Sequence, residues 1–341
     1  MILRRGIRVL PRETIPVISI DGFNDHVEVA ASLVSTLATL PWDYRVFVRG
    51  PQDLSAGTST NAFSVPITDR FELHSSENLR SQYSFHSEHD GLDEWVWQTS
   101  LARQDRRFAK RQFYFMYRYT GYMATHASGK AADELQYEMR AFYGACIAHN
   151  IMFPWGYHPD SGTHLIFLSH REGYALEHGG YLESDLRAAT YYYAKGHANR
   201  KFRSQSSILN VLNPAIAMFN CSTAQRLKTA AVWIFRAASS ENLMDRVLES
   251  TIALEVLLGD RKVSDKLGLT RLMSNRCAYA LGNSQDNRDE IQTFFEKFYN
   301  LRSDIVHTGR LYLDENEQSL VERGLQLANE MLRFEQRLAC L

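Results

Sequence analysis

Residues 294–309 read FFEKFYNLRSDIVHTG, and this stretch decides the fold prediction for the C-terminal part of the chain. Apolar side chains recur here at steps of three and four residues, at Ile291, Phe294, Phe295, Phe298, Leu301 and Ile305. This period is typical of one face of a helix. Gly309 suits the C-terminal end of that helix, because glycine readily adopts the left-handed backbone conformation.

Arg302 and His307 are the two residues on this helix whose side chains are best suited to binding or catalysis. Burying a guanidinium and an imidazole without partners costs free energy, so they indicate a polar site shared with another surface. Ser303 and Asp304 stand four and three residues before His307, and Asp304 is therefore placed to orient the imidazole. A histidine suits general acid–base catalysis and an arginine fork suits a phosphate. Together they suggest phosphodiester chemistry without a metal.

The spacing of this arginine–histidine pair is not distinctive by itself. Arginine is followed by histidine at similar distances at Arg80/His86 and at Arg171/His178. Only Arg302 and His307 lie on a strongly apolar helix near the end of a helical region. The structural alternative is an arginine–aspartate pair and a histidine satisfied at an interface.

Three segments of the C-terminal third resemble HEPN domains, specifically the Apea-like group. Residues 298–307, FYNLRSDIVH, are similar to the family pattern Tyr-x-x-Arg-Ser-x-Ile-Val-His-Gly. IALEVLLG at 252–259 resembles an earlier family helix, and KLG at 266–268 followed by RCAYALG at 276–282 resembles the helix between them. The resemblance covers residues 222–341. The chain departs from the pattern at Thr308, where the family usually has glycine.

The resemblance implies a mechanism. HEPN ribonucleases dimerise so that the arginine and histidine of both subunits meet, and they cleave single-stranded RNA without a metal. Carried over, His307 would act as general base or acid, and Arg302 would hold the scissile phosphate and stabilise its charge. Ser303 and Asp304 would support them. The expected products carry a 2′,3′-cyclic phosphate and a 5′-hydroxyl.

The residue pattern independently predicts helices in this region. The predicted helices span residues 223–239, 243–258, 264–281, the Arg302 segment and 315–341, with Asp314 or Asn316 as N-cap of the last. Short connections containing glycine imply antiparallel neighbours and hence a helical bundle. Glu255 on the second helix would pair with Arg276 or orient Arg302, or would form a purely structural salt bridge.

The predicted fold class is α+β. Residues 1–215 are expected to form an α/β or α+β domain that senses a trigger or selects the substrate, and residues 216–341 an all-α bundle of the HEPN type. The predicted N-terminal elements are strands at Thr14–Ile20, Asp43–Arg49 and Tyr157–Ser169, and helices from Asn24 or Asp25 to Leu40, over Leu92–Thr125 and over Ala131–Asn150. Asn210–Pro214 is the predicted domain boundary.

One N-terminal segment combines basic and aromatic residues. Its cations are Arg103, Arg106, Arg107, Lys110 and Arg111, with Phe108 and the aromatic residues at 113–117 interleaved or following. Cations for phosphates beside aromatics for base stacking would suit single-stranded RNA. The alternative is an amphipathic helix with its aromatics in the core and a solvated basic face.

Composition limits the other functional classes. The formal net charge of −1 gives no global attraction to polyanions, so any RNA affinity must come from local patches. The four scattered cysteines, at 146, 221, 277 and 340, predict free buried thiols in a reducing compartment. No run approaches the roughly 20 apolar residues of a membrane span, and a cytoplasmic location is expected. His86 and His89 lack a third ligand at a compelling spacing, so neither a metal nor another cofactor is expected.

Two functional hypotheses remain. The first is a metal-independent endoribonuclease that acts on RNA as a homodimer through the C-terminal bundle. The resemblance points to an antiviral defence effector or toxin, with transfer RNA as a candidate target and a trigger or partner protein at the N-terminal domain. The second is a non-catalytic module that uses the same bundle for dimerisation or RNA binding.

Overall fold

The computed structural model describes two compact units. The described residues are 30–31, 34, 42–50, 62–83, 113–121, 130–154, 166–169, 176–178, 182–189, 192–194, 205–259, 268–310 and 312–340. The first unit comprises Met1–Gly50, Thr60–Asp133 and Ser161–Tyr181, and the second Pro51–Ser59, Glu134–Asp160 and Leu182–Leu341. The predicted strand at Thr14–Ile20 lies outside the described residues, as does most of the helix predicted to end at Leu40.

The first unit contains a six-stranded sheet in the order β2-β3-β4-β1-β6-β7. Its strands are β1 (Trp42–Arg49), β2 (Ser64–Pro66), β3 (Phe71–Ser75), β4 (Phe113–Gly121), β6 (Ile166–Ser169) and β7 (Leu176–His178). All of its described pairings are antiparallel. The described strands are therefore of the α+β type rather than the parallel α/β type. β1 confirms the strand predicted at Asp43–Arg49.

Both faces of the central strands β1 and β4 are buried. On one face, Phe47, Tyr114 and Met116 pack with Leu79 and Tyr83 at helix α1 (Ser76–Gln82). The register β1–β4 pairs Val48 with Phe115 on the opposite face, and both are fully buried. α1 begins where Ser75 accepts a hydrogen bond from the Asn78 backbone N–H.

The prediction of a helix over Leu92–Thr125 is wrong for the C-terminal part of this range. Residues Phe113–Gly121 form β4 instead, so the amphipathic-helix alternative fails there as well. The physical reason is that a short run of consecutive aromatics suits a strand buried on both faces, which periodicity alone does not distinguish from a buried helix. Arg118 points from β4 to Glu72, 2.5 Å away. The predicted RNA-binding residues Arg103 to Arg111 lie outside the described residues.

The second unit is predominantly helical. Its helices are α2 (Lys130–Ala148, which begins in the first unit), α3 (Ser184–Ala189), α4 (Gln205–Phe219), α5 (Ala224–Ser239), α6 (Leu243–Leu258), α7 (Leu269–Leu281), α8 (Gln285–Thr308) and α9 (Glu315–Ala339). A two-stranded antiparallel ladder pairs β5 (Met152–Phe153) with β8 (Tyr193–Ala194). The five helices predicted in the C-terminal third correspond to α5–α9, and Asp314 caps α9 in a capping box. The first residues of the third predicted helix lie outside the described residues.

α2 packs closely on α5, within the second unit. A Cβ atom at Gly144 would lie only 1.8 Å from the backbone oxygen of Ala231, so the two backbones touch. Tyr137 hydrogen-bonds Thr229 at 2.9 Å, and Lys228 pairs with Glu138 at 2.5 Å. The compact unit that holds α5–α9 therefore also includes a helix from well before residue 216.

We expect Gly144→Ala to lower the free energy of unfolding by about 1–3 kcal/mol or more, because the added methyl group forces α2 away from α5. The same change would stabilise a solvent-exposed helix position by about 1 kcal/mol. Chemical denaturation measures the effect. Gln326→Ala on the exposed face of α9 is the control and should change stability by less than about 0.5 kcal/mol. Equal stability of both variants would contradict the close packing of α2 on α5.

The predicted boundary at Asn210–Pro214 lies inside α4, not in a linker. Proline within a helix removes one backbone hydrogen bond and costs about 3 kcal/mol, which is why Pro214 favours a boundary when the sequence is considered alone. Packing overrides this cost. The buried Gln336 side chain of α9 donates through Nε2 to the Pro214 carbonyl at 2.7 Å, and its Oε1 accepts from the Nε2–H of His149 at 2.8 Å.

Two of the four cysteines form a disulfide, so the prediction that all are free thiols is wrong for Cys221 and Cys340. Their Cα atoms are 5.1 Å apart although 119 residues separate them in sequence. Cys146 and Cys277 are free and buried, as predicted. Burial raises the pKa of both these thiols, that of Cys277 to about 12, which keeps them protonated and unreactive.

We expect reduction of the disulfide to lower the melting temperature, because it frees a long loop in the unfolded chain, with a cost of about 2–5 kcal/mol. Dithiothreitol should therefore destabilise the wild type. It should leave the Cys221→Ser variant unchanged at an already lowered melting temperature. If reductant shifts both proteins equally, or neither, the Cys221–Cys340 link does not stabilise the fold.

In the part of the chain that the structure describes, no helix is both long and apolar enough to cross a membrane.

Candidate functional site

α8 positions the residues singled out in the sequence. Ser284 caps its start by accepting from the Asn287 backbone N–H, and Gly309 ends it in the left-handed conformation at φ 63° and ψ 30°. Between them, the apolar side chains predicted from the helical period are buried, at Ile291, Phe294, Phe295, Phe298, Leu301 and Ile305. Arg302 and His307 consequently lie in the last two turns of a well-anchored helix.

Arg302 is half-buried beside an acidic partner on α6. Its Nη2 lies 3.9 Å from Glu255 Oε1, which is an ion-pair distance but too long for a hydrogen bond. Its guanidinium carbon lies 5.8 Å from the centre of the Tyr299 ring. The Arg302 Nε–H is buried and has no hydrogen-bond partner among the described residues. A buried donor of this kind is unusual and calls for an acceptor.

Tyr299 completes the surroundings of Arg302. Its hydroxyl donates to Glu255 Oε1 at 2.9 Å. Burial, together with the hydrogen bond and negative charge of Glu255, raises the pKa of Tyr299 to about 12. Tyr299 therefore remains a neutral donor throughout the physiological range. Glu255 is held by Tyr299 and faces Arg302, whereas Arg276 donates to the Leu258 carbonyl at 2.7 Å.

His307 is exposed near the end of α8, and it makes no hydrogen bond or ion pair with any described residue. Asp304 is also exposed, and its backbone carbonyl accepts from Thr308 Oγ1 at 2.6 Å. No described hydrogen bond joins Asp304 to His307. Ser303 is half-buried.

A single α8 does not direct Arg302 and His307 to one point. Five residues along an α-helix correspond to a rise of about 7.5 Å and a rotation of about 140°. The two side chains therefore point in different directions around the helix axis. A site in which an arginine and a histidine of this kind contact the same phosphate would therefore form more readily from two copies of the chain.

No protein-family model, curated protein or solved structure matches this chain. The likeness to HEPN domains accordingly rests on the three sequence segments, and the functional interpretation rests on the site. Within the described ranges, no group of three or more His, Cys, Asp and Glu residues could hold a metal ion.

No role is predicted from the sequence for Tyr299, Val306 or Tyr312, although the first two stand in the segment that resembles the HEPN pattern. Tyr299 precedes Arg302 by three residues, and this spacing was a signal that the two side chains share a helix face. Val306 and Tyr312 are 49% and 81% exposed and flank His307 along the chain. Exposed apolar side chains beside an exposed histidine are suited to contact with another protein surface.

We expect Arg302→Met to change the free energy of unfolding by less than about 1 kcal/mol, because replacing an imperfectly paired charge with an apolar side chain of similar length is often neutral. In contrast, Phe298→Ala in the core of the same helix should cost about 3–5 kcal/mol. Thermal or chemical denaturation of both variants makes the comparison. A loss with Arg302→Met as large as with Phe298→Ala would make Arg302 a structural residue.

Proposed function

We propose that the protein is a metal-independent endoribonuclease of the HEPN type, which cleaves single-stranded RNA at a composite site between two copies of the chain. The main support for this proposal is the environment of the Arg302 side chain. It is anchored beside Glu255 and Tyr299, 28% of its side chain is exposed, and its buried Nε–H has no acceptor among the described residues. A phosphate oxygen is a chemically matched acceptor for that donor.

Each site residue has a role in this reaction. His307 removes the proton of the ribose 2′-hydroxyl or donates a proton to the leaving 5′-oxygen. Arg302 holds the scissile phosphate and stabilises the charge that develops on it. Attack of the 2′-oxygen on phosphorus breaks the bond to the 5′-oxygen. The products carry a 2′,3′-cyclic phosphate and a 5′-hydroxyl, and Ser303 and Asp304 support the two main residues.

The exposed end of α8 supports a homodimer as part of this proposal. Val306, His307 and Tyr312 are exposed there. Since Arg302 and His307 diverge by about 140° on one helix, a symmetric partner offers a route for one copy's histidine to reach the phosphate held by the other copy's arginine. Transfer RNA is a candidate substrate, and a role as antiviral defence effector or toxin is the context that the HEPN resemblance implies.

A non-catalytic dimerisation or RNA-binding module is the second candidate. The observation that favours it is the His307 side chain, which no described residue orients. Catalytic histidines usually have a hydrogen-bond partner that fixes the ring. The enzyme hypothesis therefore requires that a partner subunit or the RNA supplies this contact.

To test the proposal, purified full-length protein is incubated with a mixed transfer RNA pool in excess EDTA. We expect cleavage by the wild type and 2′,3′-cyclic phosphate ends on the products. Arg302→Ala and His307→Ala should each reduce the rate by about 10²–10⁴-fold. Thr308→Ala, an exposed neighbour on the same helix end, is the matched control and should cleave at the wild-type rate.

Two results would contradict the enzyme proposal. One is cleavage that persists in His307→Ala, which would assign the activity to another residue or a contaminant. The other is an absence of cleavage by a folded protein that light scattering shows to be a dimer and that binds the RNA. That second result would support the non-catalytic module instead.

A further inference from the structure

The C-terminal end of α9 carries two arginines that form no ion pair with any residue that the structure describes. Arg333 and Arg337 stand four residues apart, so they lie on the same side of the helix. Glu335, which lies between them in sequence, pairs with Arg226 instead, at 2.5 Å. The two guanidiniums therefore form a local positive charge in a chain whose formal net charge is −1.

Both guanidiniums are restrained by neutral contacts. Arg333 Nη1 donates to the backbone carbonyl of Ala148, the last residue of α2, at 2.7 Å. The guanidinium carbon of Arg337 lies 5.8 Å from the centre of the Phe334 ring. Neither contact neutralises the charge. A restrained guanidinium loses less conformational freedom when it binds a phosphate.

His149 directly follows α2 and lies close to both arginines. Its side chain is half-buried. Burial, and then the positive charges of Arg333 and Arg337, lower the pKa of His149 below its ordinary value, although the hydrogen bond with Gln336 opposes this shift. The imidazole is therefore mainly neutral at pH 7, and it becomes a third positive charge in the same place when it is protonated.

Gln336 determines which nitrogen of His149 can meet a ligand. The Gln336 Nε2 donates to the Pro214 carbonyl at 2.7 Å, so its Oε1 faces His149 Nε2 at 2.8 Å and accepts a hydrogen bond from it. The neutral ring consequently carries its proton on Nε2 and a lone pair on Nδ1. Protonation adds a donor at Nδ1 without breaking the bond to Gln336. An anion beside Nδ1 is the matching acceptor.

The ends of two helices account for part of this arrangement. Cations are stabilised near helix C-termini, and Arg333 meets the last carbonyl of α2 while Arg337 stands in the last turn of α9. However, like charges four residues apart on a helix repel each other. A protonated His149 adds to this repulsion. A bound anion would relieve both repulsions, which the helix ends do not do.

We propose that Arg333, Arg337 and His149 form a phosphate-binding site, and that its ligand is a backbone phosphate of single-stranded RNA. This inference rests on the proposed function, because it gives the same RNA a contact away from the candidate site. α8 touches α9 where Phe298 meets Gly324, and Arg333 follows Gly324 by nine residues, which is about 14 Å along the helix. The site would therefore hold a different phosphate from the one that is cleaved.

Fluorescence anisotropy of a labelled, single-stranded RNA of about 12 nucleotides measures the contribution of the arginines. The full-length protein carries His307→Ala, so that the RNA is not cleaved. We expect Arg337→Gln to reduce the slope of log Kd against log salt by about 0.7, and the double variant with Arg333→Gln by about 1.4, as for one and two lost phosphate contacts. Because Arg337 is exposed, its substitution alone should leave the protein folded.

Arg323→Gln is the matched control. Arg323 lies on the same helix and also over an aromatic ring, with its guanidinium carbon 4.6 Å from the centre of Phe294. It differs in having an acidic partner, Glu290, at 2.7 Å. Its loss should leave the salt slope unchanged. If Arg323→Gln reduces the slope as much as Arg337→Gln does, the effect is one of general charge, and the assignment of this site is overturned.

The protonation of His149 is a second readout, which a purely structural role of the arginines would not change. A bound phosphate favours the imidazolium and so raises the pKa of His149 from its lowered value, and RNA affinity should increase as the pH falls through this pKa. We expect RNA to raise the pKa by about one unit, which corresponds to an affinity difference of about tenfold between the two protonation states. Arg337→Gln should diminish this increase.

NMR of protein with isotope-labelled histidine follows this titration, and the His149 signal is assigned by its absence in His149→Gln. Inorganic pyrophosphate is the second probe. If pyrophosphate raises the pKa of His149 and the RNA does not, the ligand is a small phosphate compound and the RNA assignment is overturned. If neither probe raises it, the site itself is overturned.

These measurements are independent of cleavage. An unchanged salt slope in the double variant overturns the phosphate site whether or not the wild type cleaves RNA. A reduced slope together with a raised pKa of His149 supports the site even if the wild type never cleaves. Failure of the phosphate site and failure of the enzyme proposal are therefore distinguishable.

Discussion

The contact between Phe298 and Gly324 is the constraint on which the candidate site depends. A Cβ atom at position 324 would lie 2.3 Å from the Phe298 ring, so α8 and α9 approach this closely only because α9 has glycine there. Phe298 is buried and stacks with Phe294 at 5.9 Å between ring centres. With α8 fixed in this way, its rotation is set, and Arg302 faces Glu255 on α6 while His307 faces outward.

Local sequence patterns predict the five helices α5 to α9 best. The 3.6-residue period in the C-terminal third identified α5 to α9, because each of these helices buries one apolar face and leaves the opposite face polar. The cap at Asp314 was predictable from short-range chemistry alone. β4 is not predictable in this way, for the opposite reason. Its five buried residues at 113–117 have no polar face, and a run without polar residues carries no period.

Long-range contacts were beyond prediction from a single sequence. Nothing local to Gly144 indicates that it touches Ala231, and nothing local to Cys221 indicates that Cys340 lies beside it. At the candidate site, too, the residue types were predictable from the sequence, whereas the contacts between helices were not. Arg302, His307 and Glu255 stood out by residue type and position. The hydrogen bond from Tyr299 to Glu255 depends on how α6 and α8 face each other, and the absence of a described bond between Asp304 and His307 depends on side-chain directions.

The disulfide turns the last five helices into a closed ring. α5 to α9, including Glu255 and Arg302, all lie between Cys221 and Cys340. Mechanical tension applied along the backbone would pass from one sulfur to the other and would bypass these helices. A single backbone cut inside the ring would likewise leave both pieces covalently joined. While the disulfide is intact, the part of the chain that carries the candidate site is thus isolated from forces and breaks that would separate the helices of an open chain.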